Sequence, residues 1–201
     1  MHLSFTSSLK SIAVLTACSF LLQAELPESW HLAGSAPRDY DCTIDSLAPY
    51  NGEQSTYLKG KEGAELKGFG TLMRSYGAEP YLGKRIRFSA NVKADTVKDW
   101  AGLWMRVDAR HATGETPAVL SFDNMQGRPI KGTFGWKSFS VVLDVPEDAA
   151  NISLGILMQG GGAVWLNSVK LEVVGTDVPT TGMSRPKKPT AGPTNLSFEE
   201  K

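Results

Sequence analysis

The stretch from Trp100 to Asp108 carries side chains suited to binding a small molecule. A β-strand turns successive side chains to opposite faces. The odd positions of this stretch form an apolar face, made of Leu103, Met105 and Val107. The even positions carry Trp100, Trp104, Arg106 and Asp108. Two indoles, a guanidinium and a carboxylate on one face indicate either a recognition surface or a strand face that a loop covers.

Flat apolar rings beside planar hydrogen-bonding groups are the chemistry of sugar recognition, because a ring can stack on the C–H face of a pyranose. Polar residues of nearby segments complete a candidate ligand-binding set, which is Trp100, Trp104, Arg106, Asp108, Asp123, Asn124, Arg74 and Arg128. If their two strands are neighbours, Arg106 and Asp123 could share a face. The alternative is that the segment Met125 to Gly135 covers Trp104, and that Arg106 forms a structural ion pair with Asp108 or Asp123.

The remaining chemistry in the sequence argues against an enzyme. Glycoside hydrolysis needs two carboxylates across a cleft. Asp108, Glu115, Asp123 and Asp144 are enough in number to supply such a pair, but their number alone is weak evidence for one. The Gly-x-Ser-x-Gly elbow of serine hydrolases does not occur in the sequence. We therefore predict no catalytic residues, with a glycoside-active enzyme as the alternative.

The sequence also contains little evidence for a metal or cofactor site. His111 has no second histidine or cysteine at ligand spacing, which argues against a transition-metal site. Calcium bound by backbone carbonyls would leave no sequence signature. We predict no cofactor and leave a structural calcium ion open.

Alternating strands position these residues. The clearest alternation turns Ile86, Phe88, Ala90 and Val92 inward and leaves polar residues between them. A polar connector from Ala94 to Asp99 then precedes the Trp100 strand, and a further strand begins at Trp136. About ten short strands, frequent turn residues and no helical apolar period before Val174 predict an all-β fold, an antiparallel sandwich or barrel.

Composition limits the classes of partner. The chain has 201 residues, of which 41% are hydrophobic, and its 21 basic residues balance 21 acidic ones. This size suits one globular domain with tails. Because the charges cancel, no field would attract nucleic acid or an anionic membrane. We predict a domain over residues 25–174 and, from its Pro, Thr and Lys content, a flexible tail over residues 175–201.

The first 24 residues are typical of an export signal, with one basic residue, an apolar run and a small residue, Ala24, for cleavage. The apolar run is too short to span a membrane, so no transmembrane span is expected in the mature chain. Leu15-Thr-Ala-Cys18 resembles a lipobox, and Cys18 is therefore a candidate for lipid anchoring. We expect a periplasmic or extracellular protein in which Cys42 is the lone cysteine and a small core residue.

Four segments together resemble the jelly-roll carbohydrate-binding modules of the galactose-binding-like superfamily: Tyr81 to Lys93, Trp136 to Pro146, Ile152 to Ile156 and Gly162 to Leu171. The resemblance covers roughly Trp30 to Val174. It implies a jelly-roll β-sandwich that binds a carbohydrate or a similar polyhydroxylated ligand.

Three further segments, Gly68 to Met73, Trp100 to Asp108 and Ser121 to Gly132, are similar to an uncharacterised bacterial sandwich domain sometimes joined to AraC-type transcriptional regulators. That likeness implies a sensing or binding module. The alternative left open is a protein-interaction or structural sandwich of the cell envelope.

Overall fold

A computed structural model describes residues 26–110 and 116–184. Its strands are β1 (His31–Gly34), β2 (Tyr40–Tyr50), β3 (Glu53–Gly60), β4 (Phe69–Gly77), β5 (Arg85–Ala109), β6 (Val119–Asp123), β7 (Ile130–Asp144), β8 (Ala149–Gln159), β9 (Ala163–Val174) and β10 (Met183–Ser184). The export signal, Cys18, His111, Glu115 and residues 185–201 lie outside the described residues. Within the described residues, no helix is long and apolar enough to cross a membrane.

All strand pairs are antiparallel and are arranged in two layers joined by β5. The first half of β5 pairs with β7 and β9, and β9 leads through β3 to β2. The second half pairs with β6 and β8, and β8 leads through β4 to β1. Both halves contribute to one core, with Phe88 and Leu103 fully buried. The prediction of an antiparallel all-β sandwich is confirmed.

Strand β5 differs from its prediction, because Ala94 to Asp99 is a continuous part of the strand and not a connector. Backbone hydrogen bonds hold these polar residues in place. For example, the backbone N of Lys98 donates to the carbonyl of Gly161 at 3.0 Å. The inward positions change from even to odd across this stretch, where Thr96 has a positive φ of 52° and the pairing register shifts. This bulge lets one strand serve both layers.

Two predicted boundaries also move. Strand β7 begins at Ile130, so half of the expected loop Met125 to Gly135 is strand. The domain extends past Val174, because Arg85 Nη1 donates to the Val178 carbonyl at 2.6 Å and β10 pairs with β6. Residues 175–184 therefore belong to the sandwich and not to a tail.

Cys42 has the role expected of a small residue packed against the core. Burial raises the pKa of its thiol to about 12, so the thiol stays protonated at neutral pH and is a poor nucleophile.

The turn after β6 is fixed by an ion pair between a buried carboxylate and an exposed guanidinium. Asp123, only 7% exposed, accepts from Arg128 Nη2 at 2.7 Å and from the Met125 backbone N at 2.8 Å. Burial alone would raise the pKa of Asp123, but hydrogen bonds from Arg128, Thr181 and the Met125 backbone together bring that pKa below its usual value.

We expect Asp123→Asn to lower the free energy of unfolding at pH 7 by about 2 kcal/mol, because it removes a charge-assisted pair. The folded pKa is depressed, so the stabilisation is complete above about pH 4 and is lost as the pH falls through the folded value. Urea unfolding of both proteins at pH 7 and at pH 3 should show the difference shrinking in acid. Glu65→Gln, which removes an exposed pair with Lys67, should cost less than about 0.5 kcal/mol. An Asp123→Asn effect of equal size at both pH values would contradict this explanation.

Candidate functional site

A groove of about 540 Å³ lies on the outer face of the layer that contains β1, β4, β8, the second half of β5, and β6. Four aromatic side chains line it: Phe69, Trp100, Trp104 and Phe122. Four polar side chains lie among them: Thr71, Arg106, Asn124 and Ser153. The groove therefore combines flat apolar rings with hydrogen-bonding groups.

Strand register brings these residues together across the sheet. Trp100 is paired with Gln159, which is paired in turn with Phe69. Two steps further along each strand, Gly102, Leu157 and Thr71 form the next row. Because pairing partners project to the same face, residues far apart in sequence share one surface.

The indole of Trp104 lies across this surface. Its Nε1 donates a 2.8 Å hydrogen bond to Oγ1 of Thr71, which itself donates to the Ile156 carbonyl at 2.9 Å. Trp104 is on β5 and Thr71 is on β4, so the ring must cross the intervening strand β8, where its partner is Gly155. The half-buried ring thus forms part of the groove floor.

Trp100 and Arg106 are also held in place. Nε1 of Trp100 donates to Oε1 of Gln159 at 3.3 Å. Nε of Arg106 donates to Oδ2 of Asp108 at 3.0 Å, and Asp108 is only 2% exposed. The carboxylate orients the guanidinium and balances its charge. Since the described lining contains no other charged side chain, this part of the groove carries no net charge.

Of the predicted set, the structure brings Trp100, Trp104, Arg106 and Asn124 together in the groove. Asp108 supports Arg106 and is not part of the lining. Asp123 and Arg128 pair with each other away from it. Arg74 lies on the opposite face of β4, in a second cavity.

The sequence left open whether a loop covers Trp104 and whether Arg106 forms a structural ion pair. Over the described residues, the structure shows no covering loop over Trp104 but does show the ion pair. The segment Met125 to Gly135 leaves Trp104 at the groove, and only the turn at Asn124 and Met125 approaches the sheet, over Gly102. A Cβ on Gly102 would lie 2.7 Å from the Asn124 carbonyl oxygen, so glycine permits this approach. The ion pair between Arg106 and Asp108 is present, as the alternative expected.

The alternation over residues 118–124 predicts that Phe122 lies on the same face of its strand as Leu120, and this is wrong, because Leu120 is in the core and Phe122 lines the groove. The pairing of β5 with β6 shifts between Val107 and Asp108, leaving Leu120 as the extra residue of a bulge. After the bulge, Arg106 is paired with Phe122 and Met105 with Asp123. Phe122 therefore shares the groove face with Arg106, and Asp123 does not.

The described lining of the groove contains no aspartate or glutamate. Elsewhere Asp144 pairs with Arg85 at 2.7 Å. Among the described residues, no three His, Cys, Asp or Glu side chains meet as a metal-binding group. The structural calcium ion stays an open expectation, because carbonyl ligands are outside such a group.

Solved structures of other proteins have a fold similar to this one. No family model matches the sequence. The Clostridium thermocellum endo-1,4-β-D-xylanase 10B structure, containing the CBM22-1 and GH10 modules complexed with xylohexaose, aligns with a TM-score of 0.51 at 17% identity. It covers 72% of this chain and 26% of that one. The chain has the β-sandwich fold of carbohydrate-binding modules. The enzymatically active domain of bacteriophage CBA120 tailspike protein 4 aligns equally well, with a TM-score of 0.51 at 11% identity, over 73% of this chain and 20% of that one.

A bacterial regulator is similar to this chain in sequence. An uncharacterised HTH-type transcriptional regulator of Bacillus subtilis, YbfP, is 42% identical over 173 residues, or 86% of this chain. The chain spans 57% of that regulator's length. This agrees with the resemblance to a sandwich domain joined to transcriptional regulators.

Proposed function

We propose that this domain binds a carbohydrate in the groove without modifying it. The observation that carries the proposal is the Trp104 indole, fixed along the groove floor by Thr71 and surrounded by Phe69, Trp100 and Phe122. Stacking on such rings supplies affinity for sugar C–H faces. Side chains such as Asn124 and Ser153 supply hydrogen bonds to hydroxyl groups.

The charge balance favours a neutral oligosaccharide. Arg106 is the charged side chain of the described lining, and Asp108 already compensates it. An acidic sugar would compete with a buried carboxylate for the same guanidinium. The absence of a carboxylate pair from the described lining supports binding without hydrolysis.

The experiment is a titration of the intact protein with xylohexaose, cellohexaose and mannohexaose, followed by tryptophan fluorescence and calorimetry. We expect at least one neutral oligosaccharide to bind saturably, to change the indole emission and to be recovered uncleaved. Glucuronic acid should bind no better than glucose. No saturable binding on a broad array of neutral glycans would reject the proposal.

The amino-terminal sequence supports export as part of this proposal, with cleavage after Ala24 or lipid attachment at Cys18. Mass spectrometry of the mature amino terminus in the native host distinguishes these two forms. Finding the protein in the cytoplasm with Met1 to Ala24 still attached would refute export.

A further inference from the structure

The second cavity has a volume of about 280 Å³ and lies between the two layers at one end of the sandwich. Arg74, Tyr76 and Leu154 face it from β4 and β8, and Val169 and Leu171 face it from β9. Trp30 and Tyr81 complete the described lining. These walls are aromatic and aliphatic, and Arg74 supplies their one charge.

A bulge in β9 lies beside this cavity. Ser89 is paired with Lys170 and Asn91 with Asn167, so Ser168 and Val169 together oppose one residue of β5. Ser168 has a positive φ of 51°. A bulge redirects side chains and bends the strand, and here one of its residues, Val169, lines the cavity.

Arg74 is held by rings and not by a counter-ion. Its guanidinium carbon lies 6.0 Å from the Trp30 ring centroid and 5.8 Å from that of Tyr76. Its Nε is buried and makes no hydrogen bond, and no carboxylate among the described residues pairs with it. A buried donor without a partner is costly, and the half-buried guanidinium lacks a counter-ion among the described residues.

A second unsatisfied donor lies in the same cavity. The hydroxyl of Tyr76 is buried and has no hydrogen-bond partner. Burial raises the pKa of Tyr76 well above its usual value, so the hydroxyl keeps its proton and remains able to donate. A guanidinium and a phenol hydroxyl between aromatic walls match a carboxylate attached to a flat apolar body.

We infer that this cavity is a second ligand site, separate from the groove, that binds a small aromatic carboxylate through Arg74 and Tyr76. The carboxylate accepts from the guanidinium and from the Tyr76 hydroxyl. The apolar body of the ligand packs among Trp30, Tyr81 and the aliphatic side chains of β8 and β9. Binding pairs a charge that the described protein residues leave unpaired.

The test is calorimetric titration of the intact protein with sodium benzoate, together with the thermal midpoint in its presence. Benzoate should bind saturably at one site and raise the midpoint. Benzamide, which has the same shape without the charge, should bind at least tenfold more weakly. Arg74→Gln should weaken benzoate at least tenfold, and Tyr76→Phe should weaken it severalfold.

The control variant is Arg87→Gln, which removes an exposed guanidinium paired with Glu172. Neither residue is in the described lining of the cavity, so the variant should leave benzoate affinity unchanged. If Arg74→Gln fails to fold by circular dichroism, Arg74→Lys keeps the charge, loses the planar fork and should give an intermediate affinity. Absence of saturable benzoate binding, or equal binding to the wild type and the Arg74 variant, would overturn the inference.

Discussion

Trp104→Ala is expected to lower the affinity for a bound oligosaccharide at least about thirtyfold, equivalent to about 2 kcal/mol of binding free energy. The ring forms part of the groove floor and is held by a 2.8 Å hydrogen bond to Thr71. Its loss removes a stacking surface and leaves a depression that a sugar ring cannot fill. Fluorescence titration and calorimetry of both proteins with the same oligosaccharide measure this change.

The same variant should remain folded, because the indole is only half-buried. We expect a cost of about 1–2 kcal/mol in unfolding free energy, below the 3–5 kcal/mol typical of a truncated core aromatic residue. Trp104→Phe keeps a flat ring but loses the bond to Thr71, and should bind with intermediate affinity. The thermal midpoint and urea unfolding separate these stability effects from binding.

The matched control for Trp104 is Trp136→Ala on the other layer. Trp136 is also half-buried and packs against Tyr50 with 5.0 Å between ring centroids. Its replacement should cost comparable stability and leave sugar affinity unchanged. Sugar affinity that survives Trp104→Ala, or that falls equally in both variants, would remove the groove from the proposed function.

Local alternation was sufficient to predict part of the groove lining. Trp100, Trp104 and Arg106 share a parity on one strand, and period two alone places them on one face. An antiparallel all-β fold also follows from the repeated half-apolar strands, whereas the choice of a sandwich over a barrel came from the family resemblance. These inferences need only neighbouring residues, and for this reason they agree with the structure.

Pairing across strands was not predictable in the same way. Phe69 and Thr71 reach the groove because β8 lies between β4 and β5, and this strand order has no local signature. A bulge at Leu120 exchanges the faces of Phe122 and Asp123, because one added residue inverts every later position. Arg74 was misplaced since an isolated strand pattern does not say which face meets the second layer.

Gly155→Ala should be strongly destabilising, by about 2–4 kcal/mol in unfolding free energy. A Cβ at Gly155 would lie 2.1 Å from the carbonyl oxygen of Leu72 and 2.9 Å from the Cα of Met73. Both are backbone atoms of the neighbouring strand β4, which cannot move aside as a flexible side chain does. The substitution must therefore push β4 and β8 apart.

That displacement would also affect sugar binding, because β4 carries Thr71 and the Trp104 indole reaches Thr71 across Gly155. We expect the folded fraction of Gly155→Ala to bind oligosaccharide more weakly than the wild type, although no groove side chain is removed. Urea unfolding gives the stability change, and titration below the unfolding transition gives the affinity.

Gly135→Ala is the matched control for Gly155, since Gly135 also lies in a strand and a Cβ there would meet nothing within 4 Å. It should change the unfolding free energy by no more than about 0.5 kcal/mol and leave binding unaltered. If Gly155→Ala were as stable as Gly135→Ala, the two strands would tolerate a wider spacing. The close approach of β4 and β8 would then not be what holds the indole across the sheet.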